Sequence, residues 1–114
     1  MLGPVILSLV PLQVESSTAL DCAISLVRHD NTIEVTGILK GKPGQSGWYS
    51  MDTLSRSGSS KSLSRQSGKF HIDADGEVIL GRSMVGISVG TTMAVEIVGE
   101  SEQTQESFDC RAHT

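Results

Sequence analysis

The sequence predicts an all-β domain, an immunoglobulin-like sandwich of about seven antiparallel strands. Short stretches in which apolar and polar residues alternate are separated by Gly, Ser, Asn and Asp turns, a pattern typical of sandwiches. Gly is frequent, at 12 of 114 residues, while aromatic residues make up 4% and charged residues 19%. This composition argues against a helical bundle, and the length allows one domain with a core of its own.

The strands follow one another with short connections. Asp30-Asn31 and Ser57-Gly58-Ser59-Ser60 are predicted turns, as is Gln66-Ser67-Gly68, because these residue types favour turn geometry. In the fourth strand Leu63 is the one residue expected to be buried. The predicted strands span residues 21–29, 32–40, 48–56, 61–66, 77–84, 91–98 and 107–112, with a short extended piece at 69–72.

Residues 1–19 are predicted to be a signal peptide, which leaves residues 20–114 as the single domain. Leu2 to Val14 is an apolar run without charge, and Ser17 and Ala19 are spaced like a signal-peptidase site. The run is shorter than the about 20 residues that cross a bilayer. No Lys or Arg follows Met1, so an N-terminal strand or tail is the alternative. We expect export, with no membrane insertion after signal removal.

The two cysteines, Cys22 and Cys110, lie near the two ends of this domain. An even number of cysteines in an exported small domain favours a disulfide, here one that joins the first and last strands. A redox-active pair is the competing interpretation, but such pairs usually have closely spaced cysteines.

One catalytic motif is matched by the sequence but not by the predicted secondary structure around it. Residues 86–90 read G-x-S-x-G around Ser88, and Asp109 and His113 follow in the order of a hydrolase triad. The motif needs a strand-to-helix turn in a large α/β sheet. The segment after it is rich in β-branched residues and is predicted to be a strand, so we interpret the motif as a turn.

Metal sites have equally little support. Residues 73–77, DADGE, resemble the start of a calcium loop but lack the later acidic ligands, so a turn is favoured. His29, His71 and His113 are scattered without ligand spacing. We therefore predict no catalytic residue, no metal, no cofactor and no enzymatic activity.

Charge is distributed unevenly along the chain. Six basic residues and one acid lie between positions 40 and 69, whereas eight acids and one basic residue lie between 73 and 109. Such polarity can steer a charged partner, although basic residues on an edge strand can also simply prevent edge-to-edge aggregation. With a net charge of −4, the chain is not expected to bind nucleic acid. The candidate partner-binding residues are Lys40, Lys42, Arg56, Lys61, Arg65 and Lys69.

Several short motifs occur in a familiar order: Gly47-Trp48-Tyr49, the Ser-Gly-Ser-Ser turn, Gln66-Ser67-Gly68-Lys69-Phe70, Gly76-Glu77 and Leu80-Gly81, between an early and a late Cys. In this order they resemble the periplasmic curli-assembly inhibitors, the CsgH branch of the CsgC-like family. The resemblance extends from Cys22 to Cys110. The other branch has a C-x-C pair on one strand; this sequence has none, so a thiol-redox role does not carry over.

The resemblance implies a periplasmic, chaperone-like protein that binds unfolded curli amyloid subunits and prevents premature fibre formation. We expect it to act as a monomer. The basic hairpin would hold an acidic disordered strand, with a possible aromatic contact from Trp48 or Tyr49, although burial of at least one of the two is expected. The alternative is a secreted immunoglobulin-like adhesion or carbohydrate-binding module.

Overall fold

The computed structural model describes residues 20–114, which form seven strands. Residues 1–19, and with them the predicted signal peptide, lie outside the described residues. No helix in the described part is long and apolar enough to cross a membrane. The strands are β1 (Asp21–His29), β2 (Thr32–Lys40), β3 (Ser46–Ser57), β4 (Ser60–His71), β5 (Glu77–Gly86), β6 (Thr92–Ser101) and β7 (Ser107–His113).

The strands form two antiparallel sheets, one of three strands in the order β1-β2-β5 and one of four in the order β4-β3-β6-β7. The predicted all-β, immunoglobulin-like sandwich of about seven strands is confirmed. In the constant-type immunoglobulin arrangement the fourth strand lies beside the fifth. Here β4 lies beside β3 instead, which makes it an edge of the four-stranded sheet.

The core lies between the two sheets and follows the alternation along each strand. Every second residue is buried in β6 and, from Val35 onward, in β2, because the side chains of a strand point alternately to opposite faces. The rings of Phe70 and Phe108 meet edge to face, with centroids 5.8 Å apart. The buried apolar residues are Leu20, Val35, Leu39, Met51, Phe70, Ile72, Leu80, Met93, Val95, Ile97 and Phe108.

The two sides of the sandwich are closed differently. On the side of β1 and β7 a disulfide joins Cys22 to Cys110, with the Cα atoms 5.7 Å apart, so the predicted bond between first and last strands is confirmed. On the side of β4 and β5, the Gln66 side-chain amide donates a 2.6 Å hydrogen bond to the Arg82 carbonyl. One side is therefore closed covalently and the other by a side chain that reaches from one sheet to the other.

Two predictions about β4 are wrong. Gln66-Ser67-Gly68 is not a turn, because β4 runs without a break from Ser60 to His71. Gly68 lies opposite Tyr49 within the strand, and a Cβ there would meet the Tyr49 ring at 3.6 Å, an ordinary van der Waals distance. Leu63 is not buried: it is 52% exposed, because its register with Leu54 places it on the outer face of the sheet.

Candidate partner-binding site

The β3–β4 hairpin carries most of the predicted binding residues. Its two strands are joined by Gly58 and Ser59, and Gly58 has a φ of 62°, a left-handed conformation that glycine adopts at little cost. The predicted turn between Ser57 and Ser60 is confirmed. β4 pairs with β3 alone, so its other edge keeps backbone groups that no strand of the described chain covers.

Four of the six predicted basic residues lie together on this hairpin. Lys61, Arg65 and Lys69 follow each other at four-residue intervals on the outer face of β4, which corresponds to about 13 Å per interval. Arg56 of β3 lies directly opposite Lys61. All four residues are exposed. We refer to these four residues as the basic stripe.

Most of the charge on the basic stripe is not neutralised within the protein. Arg65 Nε lies 3.5 Å from Asp52 Oδ1, close enough for an ion pair, although Asp52 Oδ1 makes no hydrogen bond. Arg56, Lys61 and Lys69 make no ion pair with any residue of the described range 20–114. Like charges in directly opposite positions destabilise a sheet, so Arg56 and Lys61 carry a cost that an anionic partner would relieve.

The other two predicted residues lie elsewhere. Lys40 ends β2 in the three-stranded sheet, and its Nζ lies 3.9 Å from Glu77 Oε2. Lys42 lies in the following loop, and this loop bonds to the chain just beyond β4 through Gly44 and Ile72. The structure therefore places Lys42 near the far end of β4 and Lys40 beside a carboxylate.

The half of β4 nearest the turn is solvated on both faces. All residues from 60 to 65 are exposed, including Leu63 on the outer face and Ser62 and Ser64 on the inner face. The inner face here borders a polar cleft between the sheets, lined by Thr53, Ser55, Ser62, Ser64, Ser83, Met84, Val85 and Gly86. This part of the hairpin is thus a single layer of sheet that is accessible to a partner.

The Q-x-G-x-F motif has a structural role. Gln66 connects the sheets, Gly68 lies opposite Tyr49, and Phe70 packs against Phe108. These residues fix the far half of β4 to the body of the domain. The motif therefore positions the basic stripe without being part of its outer surface.

Trp48 and Tyr49 point to opposite faces of β3. Tyr49 packs against the core, as expected for at least one of the two, whereas Trp48 is 46% exposed on the outer face. In register, Trp48 lies between Lys69 of β4 and Glu100 of β6. An aromatic contact with a partner is therefore open to Trp48 but not to Tyr49.

One feature of this face escaped the sequence interpretation. Arg65, Asp52, Glu96 and Arg111 lie in register across all four strands, and Arg111 Nη2 is 3.1 Å from Glu96 Oε2. The row joins all four strands; outside it β4 carries Lys61 and Lys69 on this face, whereas β6 carries Glu100 and β7 carries Asp109. This row of charged residues becomes visible only once the order of the strands is known, because its four residues are far apart in the chain.

The apparent hydrolase motif is a turn. Ser88 lies in the connection between β5 and β6, and a strand follows it rather than the helix that the catalytic motif needs. Its hydroxyl lies 3.2 Å from those of Ser57 and Thr91. This hydroxyl cluster, which the sequence did not suggest, holds the β3–β4 turn against the β5–β6 connection.

The apparent calcium loop is also a turn. Gly76 donates a hydrogen bond to the Asp73 carbonyl, and Asp75 Oδ1 accepts one from the Glu77 amide. Among residues 20–114 there is no group of three or more His, Cys, Asp or Glu side chains placed to hold a metal ion.

Solved structures of CsgH and CsgC share this architecture, whereas no family model and no curated protein matches the sequence. The solution structure of CsgH from R. palustris superposes with a TM-score of 0.67 at 15% identity, covering 82% of this chain and 90% of that one. The E. coli curli protein CsgC superposes with a TM-score of 0.65 at 12% identity, covering 82% and 97%. The chain therefore has the fold of CsgH and of the curli protein CsgC.

Proposed function

We propose that this protein is an exported chaperone that binds unfolded curli amyloid subunits in the periplasm and prevents premature fibre formation. The observation that carries the proposal is the basic stripe on a free edge strand, in a domain with the fold of a curli protein. The Cys22–Cys110 disulfide agrees with an oxidising compartment. The signal peptide over residues 1–19 is part of the same proposal.

The basic stripe suits a client that is extended and acidic. A disordered strand can add to a sheet edge through backbone hydrogen bonds, which is a common way to bind peptides. The cations at four-residue intervals would pair with carboxylates on one face of that strand, since alternate residues of a strand share a face. Lys42, near the far end of β4, would extend the same field.

The same features would keep the complex from becoming a fibre. Amyloid grows because each exposed edge templates another strand, and lysines on an edge oppose this pairing. Beyond a bound client strand, β4 offers no further flat apolar sheet, because its outer face is polar and charged apart from Leu63. One pairing edge of the client strand is thus occupied by β4, which does not itself belong to a growing stack.

The test compares two variants that change the net charge equally. Lys61→Glu with Lys69→Glu reverses two unpaired charges of the basic stripe, and Arg28→Glu with Arg82→Glu reverses two exposed charges on the three-stranded sheet. All are surface changes, so we expect stabilities within about 0.5 kcal/mol of the parent. The measurement is the thioflavin lag time of a purified curli subunit with substoichiometric amounts of each protein.

We expect the parent and the Arg28/Arg82 variant to prolong the lag and the Lys61/Lys69 variant to have no effect. The delay should also shorten when salt is raised, because the screening length falls from about 8 Å at 0.15 M to about 3 Å at 1 M. Equal delays by both variants would refute the role of the basic stripe. No delay by the parent protein would refute the function itself.

One exposed aromatic ring, that of Trp48, supports the alternative of a carbohydrate-binding module. The second aromatic side chain, Tyr49, is turned toward the core. We therefore keep the chaperone as the proposed function and include saccharides among the probes below.

A further inference from the structure

A groove on the outer face of the four-stranded sheet lies outside the basic stripe. Its volume is about 490 Å³, and it is open to solvent. Trp48 of β3 stands on one side, Val98 and Glu100 of β6 lie in the middle, and Asp109 of β7 lies on the other side. We call it the Trp48 groove; it is lined by Trp48, Val98, Gly99, Glu100, Ser107, Phe108 and Asp109.

The carboxylates on this face fall into two pairs. Asp52 and Glu96 each have an arginine partner, at 3.5 Å and 3.1 Å. Within residues 20–114, Glu100 and Asp109 have neither an ion pair nor a side-chain hydrogen bond. The two carboxylates without a partner are the two that line the Trp48 groove, and no basic side chain lines it.

Trp48 adds a second feature that favours a cation. Its ring is 46% exposed beside these carboxylates, and no cation of the described chain stacks on it. The face of an indole ring attracts ammonium and guanidinium groups, and the carboxylates can accept hydrogen bonds from the same group. Val98 provides an apolar surface for the methylene stem of such a side chain.

We propose that the Trp48 groove binds a lysine or arginine side chain of an extended peptide. The groove and the basic stripe share one sheet face, where Trp48 of β3 lies directly opposite Lys69 of β4. Glu100 and Asp109 lie two and three strands from β4, about 10 and 14 Å away. A partner that carries acidic residues and a basic residue can contact both regions at once. This inference does not depend on the partner being a curli subunit.

The test uses short capped peptides and the fluorescence of Trp48, the only Trp of the chain. The peptides are Gly-Ser-X-Ser-Gly with X as Arg, Lys, citrulline or Glu; citrulline keeps the shape of Arg without its charge. We expect the Arg and Lys peptides to change the emission saturably and the other two to bind about tenfold more weakly or not at all. A tenfold difference corresponds to the loss of about one charge-assisted contact.

Protein variants provide the second measurement. Glu100→Gln with Asp109→Asn keeps the shape of the groove and should weaken Arg-peptide binding about tenfold. The matched control is Glu96→Gln, a carboxylate on the same face that is not part of the groove lining and already pairs with Arg111. We expect this control to bind the Arg peptide like the parent protein. Backbone amide NMR shifts should map the response to β3, β6 and β7.

Several results would overturn the proposal. Equal binding of the citrulline and Arg peptides would show that charge is not recognised. Unchanged binding of the Arg peptide by the Glu100/Asp109 variant would show that the peptide binds outside the Trp48 groove. A saturable response to glucose or maltose but not to the cationic peptides would indicate a sugar site. Emission that changes with protein concentration alone would indicate that a second copy of the chain covers the groove.

Discussion

Removing the disulfide should lower the stability of this domain by an amount that can be worked out from its position. Cys22 and Cys110 are separated by 88 positions, so the bond closes nearly the whole described chain into one loop. For a loop of this length the chain-entropy relation gives about 15 cal/mol/K, or about 4.6 kcal/mol at 25 °C. Measured losses for native disulfides are typically about 2–5 kcal/mol, so we expect a loss between about 2 and 4.6 kcal/mol.

Few other interactions connect the first strand to the last when the disulfide is absent. β1 pairs with β2 along its length, and β7 pairs with β6, but the two strands belong to different sheets and share no ladder. We therefore expect β1 to lose amide-exchange protection first when the bond is absent. The unfolded chain should also expand, which raises the denaturant dependence, or m-value, of the unfolding free energy.

The assay is urea unfolding of the oxidised parent, the reduced parent and a Cys22→Ala/Cys110→Ala variant. The reduced parent keeps both sulfur atoms, so its loss of stability reports the cross-link, while the further loss in the variant reports packing. Reductant should have no effect on the variant, which serves as the control. A reduced parent within about 1 kcal/mol of the oxidised one, with the same m-value, would refute the reasoning.

Two further substitutions probe the contacts that position β3 and β4. Gly47→Ala would bring a Cβ onto the Glu100 carbonyl oxygen and within 2.9 Å of the Phe70 ring, so we expect a loss of about 1–3 kcal/mol in urea unfolding. Gln66→Ala removes the 2.6 Å hydrogen bond to the Arg82 carbonyl, and we expect a loss of about 0.5–1.5 kcal/mol with faster amide exchange in β4 and β5.

Each of these substitutions has a matched control in the chain. Gly86→Ala adds a methyl group in open space and should change stability by less than about 0.5 kcal/mol. Ser67→Ala alters the exposed neighbour of Gln66 and should leave exchange in β5 unchanged. If Gly47→Ala lowered stability no more than Gly86→Ala, the close approach of β3 to β6 at Gly47 would be refuted. Equal amide-exchange rates in β5 of the Gln66 and Ser67 variants would show that the cross-sheet hydrogen bond does not hold β4 to β5.

The strands were predictable because alternation along a chain is a local property. β1 and β2 match the predicted ranges, and β3, β5 and β7 are extended at their ends. β6 begins one residue later and ends three residues later than predicted, and β4 joins the predicted fourth strand to most of the extended piece that follows it. The disulfide was also predictable, since two cysteines at the opposite ends of a small domain leave few arrangements. These features depend on residue type and spacing, both of which are printed in the sequence.

The pairing of strands was not predictable, and the errors in β4 follow from that. Gly68 resembles a turn residue because glycine is frequent in turns, whereas the pairing with Tyr49 that keeps it in a strand involves the neighbouring strand. Leu63 resembles a core residue because the face of an isolated strand is ambiguous, and a shift of one residue exchanges the faces. Pairing with β3 fixes the register, and Leu63 then shares the outer face with Lys61 and Arg65.

The candidate site was predictable in part for the same reason. Lys61, Arg65 and Lys69 share a face in any uninterrupted strand, because their spacing is even. Lys40 and Lys42 belong to another sheet and a loop, which the linear charge map could not separate from the hairpin. The Trp48 groove needed the order β3-β6-β7, so no local pattern could have indicated it.

The position of the disulfide also determines how the domain responds to a pulling force. A force applied at the two ends of the described chain passes from β1 to β7 through one covalent bond, because Cys22 and Cys110 enclose the remaining strands. The hydrogen bonds within the segment from Cys22 to Cys110 are then unloaded, and this segment cannot extend. In a single-molecule stretching experiment the oxidised protein should lengthen only by the few residues outside the bond, and the full contour length should be released on reduction.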